Sequence, residues 1–252
     1  MRNSVEAPAP GGPDHGVLSP MPALSWPKWP PASRRLLAVA AGLFAAFLLV
    51  ALLVQLRQFD RLDYRLLHYL QDRGSGGQDI GLAILAYIGS IEVTLLIALL
   101  LTFPLFKGLR LLAIGPTVLV LAASVIEWVF KHLIANAPPP NFYDRFPSWV
   151  PHLSRHADAN GFPSGHMIRA TFLYGLCLYL AERWQLFGRD SSRLSPILVG
   201  VVLLLGYALC YVGAHWFSDV LGGTLLGLSI LVATIAYMER KRQVTVEETL
   251  DY

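Results

Sequence analysis

Charge is what this sequence has least of. Only 15% of its 252 residues are Asp, Glu, Lys or Arg, while 54% are hydrophobic and the mean hydropathy is +0.50. A soluble domain carries about 25% charged residues and keeps its apolar stretches short and periodic. The deficit excludes an ordinary soluble fold. The net charge of +3 is small and scattered, so nothing argues for nucleic acid. Cysteine is scarce too. Cys177 and Cys210 fall inside apolar runs and read as buried thiols, not as a disulfide framework. Also missing are a Gly-rich nucleotide loop and any cluster with metal-ligand spacing, so no cofactor and no metal are expected.

Long apolar runs are what the chain has in quantity. Six of them approach the roughly 20 residues that a helix needs to cross a bilayer. They are Leu36–Leu56, Ile80–Phe103, Leu109–Ile134, Met167–Glu182, Pro196–Ala214 and Val220–Tyr237, the fourth and sixth being short. The expected fold is all-α, an integral membrane six-helix bundle over residues 34–238. Residues 1–33, rich in Pro and Gly, lack the basic start and apolar core of a signal peptide and read as a disordered tail. Within them Trp29, between Lys28 and Pro30, suits the headgroup zone. Residues 239–252 read as a second tail.

Twelve of the 20 Lys and Arg residues fall on the side of the N-terminus in this arrangement. The positive-inside rule then places both termini in the cytoplasm and the loops after spans one, three and five outside. The segment Phe59–Leu70 has Phe59, Leu62, Leu66, Tyr69 and Leu70 at helical spacing. It is expected either to lie flat on the outer surface or to serve as an ordinary connecting helix.

Three features converge on the outer side. Lys131 ends span three, Pro163-Ser164-Gly165-His166 opens span four, and His215 with Asp219 lies between spans five and six. A helix that starts at Ser164 and Gly165 presents unpaired N–H groups and a dipole to an anion. The alternative is that Ser164 only caps the helix. His166, in the first turn, is placed to donate a proton. His215 and Asp219, four apart, would share a helix face, the carboxylate fixing the imidazole tautomer for nucleophilic attack. Glu127, four residues before Lys131, is expected to pair with it. Glu92 has no evident partner.

This set of motifs resembles the membrane branch of the type-2 phosphatidic acid phosphatase and haloperoxidase family, over roughly residues 80–237. The resemblance implies six spans and a metal-independent lipid phosphate phosphatase acting through a phosphohistidine. His215 would be the nucleophile, Asp219 its orienting partner and His166 the acid for the leaving alcohol. Lys131 and the backbone of Ser164 and Gly165 would hold the phosphate. Two motif arginines are replaced, one by Pro138 and the other by Leu209, which follows Ala208 where the motif has Ser. Each such contact to phosphate is worth about 1.5–3 kcal/mol. Arg169, three residues beyond His166, is the expected substitute, with Arg145 and Arg155 in the outer loop as runners-up. The alternative activities are lipid phosphotransfer and a catalytically weakened lipid-phosphate-binding role. The implied partners are a lipid phosphate and the membrane.

Overall fold

The structure is a computed structural model that describes residues 29–109, 114–147, 160–184 and 191–250. Every regular element among them is helical. In chain order these are α1 (Pro31–Gln55), α2 (Asp60–Asp72), α3 (Gly76–Tyr87), α4 (Ile91–Leu109) and α5 (Gly115–Leu133). A 3₁₀ turn (Asn141–Tyr143) follows, then α6 (Gly165–Trp184), α7 (Ser191–Tyr211) and α8 (Phe217–Leu250). The N-terminal tail up to residue 28 lies outside the described residues. Helix α8 continues well beyond Tyr237, through the stretch read as a tail.

Four helical segments are long and apolar enough to cross a membrane: Pro31–Gln55, Gly115–Leu133, Leu194–Tyr211 and Phe217–Arg242. The run expected as one span over Ile80–Phe103 is instead two helices, α3 and α4, bent by 49° at residues 88–90; taken together they make a fifth. At the break the Ser90 hydroxyl accepts the Val93 N–H at 3.3 Å, capping the start of α4. The carbonyl of Ile88 accepts from the Tyr174 hydroxyl at 3.0 Å. Glu92 thereby falls in the first turn of α4, exposed and next to the positive end of the helix dipole.

The remaining expected span corresponds to α6, which is not among the apolar candidates. Its position explains why. Helices α4, α5, α7 and α8 pack around it, and nearly every residue from Gly165 to Ala181 is buried or half-buried. A helix that meets protein on all sides has no need of an apolar coat, so it can carry His166 and Arg169. Small residues bring α8 against it. A Cβ at Gly223 would strike the Ser164 carbonyl, and one at Gly227 would fall 2.8 Å from the Ile168 carbonyl. Helix α1 packs on the outside of α8, where Ser229 donates to the Ala40 carbonyl at 3.0 Å. Leu100, Phe103, Val125 and Leu203, on the outer faces of α4, α5 and α7, are largely exposed, as lipid-facing side chains are. Cys177 and Cys210 are free and buried.

Helix α2 does form, but its buried face is not its apolar one. Asp63, Leu67 and Gln71 are buried, whereas Leu62 and Tyr69 are exposed. Hydrogen bonds decide this. The Gln71 amide donates at 2.8 Å to the carbonyls of both Tyr143 and Tyr211, which ties α2 to the end of α7.

Candidate active site

The end of α7 is a Schellman turn. Gly213, at φ 71°, sits in the left-handed region that a residue with a Cβ adopts only at a cost. The Gly213 N–H donates to the Cys210 carbonyl at 3.2 Å, and the Ala214 N–H to that of Leu209 at 3.0 Å. His215 is therefore the first side chain past a locked turn, and its own N–H also reaches the Leu209 carbonyl at 3.2 Å.

His215 and Asp219 were expected on one helix face. The structure corrects this: α8 begins at Phe217, so His215 precedes the helix and only Asp219 lies in its first turn. The Asp219 carboxylate folds back on that turn, Oδ2 accepting the Trp216 N–H at 3.0 Å, while Oδ1 accepts the Asn136 amide at 2.8 Å. His215 Nδ1 lies 3.4 Å from Oδ2, close but not aligned for a hydrogen bond. Asp219 is fully buried.

Helix α6 starts opposite. Ser164 has the geometry of an N-cap, its hydroxyl accepting the Met167 N–H at 3.4 Å. The Ser164 N–H is already given to the Asp219 carbonyl at 3.0 Å, which stitches the two motifs together. The Ile168 N–H is given to the Ser164 carbonyl at 3.1 Å, so backbone contacts to an anion fall to Gly165 and His166, not to Ser164. The rings of His166 and His215 meet edge to face, with centroids 5.8 Å apart. Arg169 and Lys131 meet on the Glu127 carboxylate, which lies against Gly165 at the same helix start. Five of the expected residues thus come together: Lys131, His166, Arg169, His215 and Asp219, around the turn formed by Ser164 and Gly165.

Glu127 forms its expected pair, Oε1 lying 2.9 Å from Lys131 Nζ. It has a second partner that the sequence concealed, Arg169, whose Nη1 is 2.5 Å from Oε2. Arg145 is committed elsewhere. It donates to the Tyr211 hydroxyl at 3.2 Å and the Gln71 carbonyl at 3.0 Å, and the Tyr211 hydroxyl donates to Asp79 at 2.6 Å. Arg155 lies outside the described residues.

Three contributors went unnoticed in the sequence. Asn136 and Asn160 knit the Pro-rich loop to the site, the Asn160 amide donating to the Lys131 carbonyl at 2.7 Å. Asp63 reaches across from α2 and accepts both the N–H (2.9 Å) and the hydroxyl (2.7 Å) of Ser218, between His215 and Asp219. Beside the bond from the Trp216 N–H to Asp219, it adds from a distance a second cap on α8. Burial pushes its carboxyl up to about 6; the Ser218 bonds oppose that rise, and the charges of Asp219 and Asp60 add to it. The only signal in the sequence was an acidic residue on an amphipathic helix.

These features define a class: a multi-pass helical membrane protein whose two histidines and aspartate converge on a helix N-terminus. Residues 111–243, more than half of the chain, match the PAP2 superfamily, and the chain belongs to it. It is 31% identical over 86 residues to phosphatidylglycerophosphatase B of Bacillus subtilis (strain 168), which covers 34% of this chain and 42% of that one. To an undecaprenyl-diphosphatase of Sulfolobus acidocaldarius it is 27% identical over 125 residues, 49% of this chain and 53% of that one. The chain spans about half the length of the curated relatives it matches. Its fold is similar to the crystal structure of a transmembrane PAP2-type phosphatidylglycerolphosphate phosphatase from Bacillus subtilis. The TM-score is 0.67 at 20% identity, covering 79% of this chain and 96% of that one.

Proposed function

We propose that this protein hydrolyses a lipid phosphate monoester or diphosphate through a phosphohistidine on His215. The observation that carries the reading is the approach of His166 and His215, 5.8 Å apart, with Asp219 behind the second ring. Asp219 faces Nδ1 of His215, which leaves Nε2 for attack on phosphorus. As the P–O bond to the lipid breaks, His166 gives its proton to the departing oxygen. Water then attacks the phosphohistidine, His166 takes the water proton, and phosphate leaves as His215 is regenerated. Lys131, Arg169 and the N–H of Gly165 hold the phosphate oxygens. Relatives named for a phosphatidylglycerophosphatase and an undecaprenyl-diphosphatase support a lipid-borne phosphate as the substrate class.

The purified protein will release inorganic phosphate from lipid phosphates in detergent, with the rate unchanged by a chelator. Absence of release from phosphatidate, phosphatidylglycerophosphate and polyprenyl diphosphate alike would reject the reading. Phosphate appearing on an added alcohol instead of in solution would make the protein a transferase.

In this proposal α6, enclosed by its neighbours, is the fourth of six crossings along the chain, and both termini are cytoplasmic. Phe142, on the 3₁₀ turn, is 78% exposed and suits a topology probe. A cysteine at Phe142, in a variant without Cys177 and Cys210, will react with an impermeant thiol reagent on intact cells. Labelling only after permeabilisation would put the site on the cytoplasmic face.

A further inference from the structure

One carboxylate touches three of the groups that the proposed function assigns to the substrate phosphate. Glu127 bridges Lys131 at 2.9 Å and Arg169 at 2.5 Å. It also lies over the first turn of α6, where a Cβ on Gly165 would collide with its oxygens. All three side chains of the bridge are nearly enclosed, with exposures of 11% for Lys131, 13% for Glu127 and 6% for Arg169. Within this cluster Arg169 Nε is buried and has no acceptor among the described residues. A carboxylate offers two oxygens and one charge, and even with the Ser124 hydroxyl 3.5 Å from Arg169 Nη1 it leaves Nε unmatched. A phosphate group, with three terminal oxygens and up to two charges, is a better match.

We propose that Glu127 is a resident stand-in for the substrate phosphate. It neutralises Lys131 and Arg169 while the site is empty and yields Arg169 and Gly165 when a phosphate group enters. The inference rests on the phosphatase reading above and deepens it. The physical need is plain. Two enclosed cations without a counter-ion are costly, and a side chain on the neighbouring helix removes that cost in the empty state. The consequence is competition. Every phosphate that binds must displace Glu127, which weakens its binding and eases release of product. Glu127 thereby sets the site's affinity for phosphate, opposite in sign to a residue that merely holds Lys131 and Arg169 in place.

The test is Glu127→Gln in the full-length detergent-purified protein, with inorganic phosphate as the probe and melting temperature as the readout. Glutamine keeps the size and removes the charge. The empty variant is expected to melt below wild type, and phosphate is expected to raise its melting temperature more than that of wild type. The half-saturating phosphate concentration should fall about ten- to a hundredfold, the size of one charge-assisted contact no longer contested. Should this variant not fold, Glu127→Asp, too short to reach Gly165 yet still charged, is expected to tighten phosphate in the same sense. Unchanged or weaker phosphate binding in the folded variant, or no response of either protein to phosphate, would overturn the proposal. Because binding is read without turnover, a wild type that binds phosphate but cleaves no lipid phosphate would reject the phosphatase reading and leave this result interpretable.

Discussion

Replacing His215 with alanine will abolish phosphate release from lipid phosphates while leaving helix content and melting behaviour close to wild type. The loss in kcat should be on the order of 10⁴-fold or more, because the proposed phosphoryl acceptor is removed. The fold should survive because of how His215 is held. Its backbone is fixed by the Leu209 carbonyl, and its Nδ1 forms no aligned hydrogen bond. Asp219 keeps the Asn136 amide and the Trp216 N–H after the ring is gone. Phosphate release and circular dichroism on the same preparation check this. Near-normal turnover in a folded variant would remove His215 from the chemistry.

Asp219→Asn is expected to cost kcat about 10²–10⁴-fold, with a smaller change in KM. Two effects combine. The amide cannot favour the tautomer and developing charge that the carboxylate favours at His215 Nδ1, 3.4 Å away. Its NH₂ end also disturbs a buried bond: toward the Trp216 N–H it makes a donor–donor contact, and toward Asn136 it forces that amide to turn over. Such a donor–donor contact costs about 1–3 kcal/mol, so the melting temperature should fall as well. Steady-state kinetics with a thermal melt separate the two effects. A wild-type kcat accompanied by a lowered melting temperature would leave Asp219 a purely structural cap.

The His and Ser-Gly-His motifs were legible because their chemistry is local: a helix start shows itself in Ser164 and Gly165, and the residues converge once the helices pack. Hydropathy found the apolar runs for the same reason. It could not register the bend at residues 88–90, since Gly89 and Ser90 barely lower a window average, and the weaker signal of α6 could not reveal that its neighbours enclose it. Contacts distant in the chain were beyond its reach. Glu127 and Arg169 are 42 residues apart, so the pairing of Arg169 was hidden even though both residues had been singled out. Asp63 escaped notice for a different reason. On an amphipathic helix the apolar face is assumed to be buried, but hydrogen bonds from Ser218 and to the carbonyls of Tyr143 and Tyr211 turned the polar face of α2 inward. The His215–Asp219 spacing pointed to two residues that do come together, but by way of the wrong local structure, because the Gly213 turn places His215 ahead of its helix.

The central claim is a covalent step at His215, and trapping that intermediate tests it most directly. Protein mixed with a lipid phosphate carrying a labelled phosphoryl group is quenched in alkali within the first turnover, digested and mapped by mass spectrometry. The account predicts label on His215, stable to alkali and lost in acid, and none in His215→Ala. Label on another residue, or steady turnover of the wild type with no labelled protein at any quench time, would contradict it.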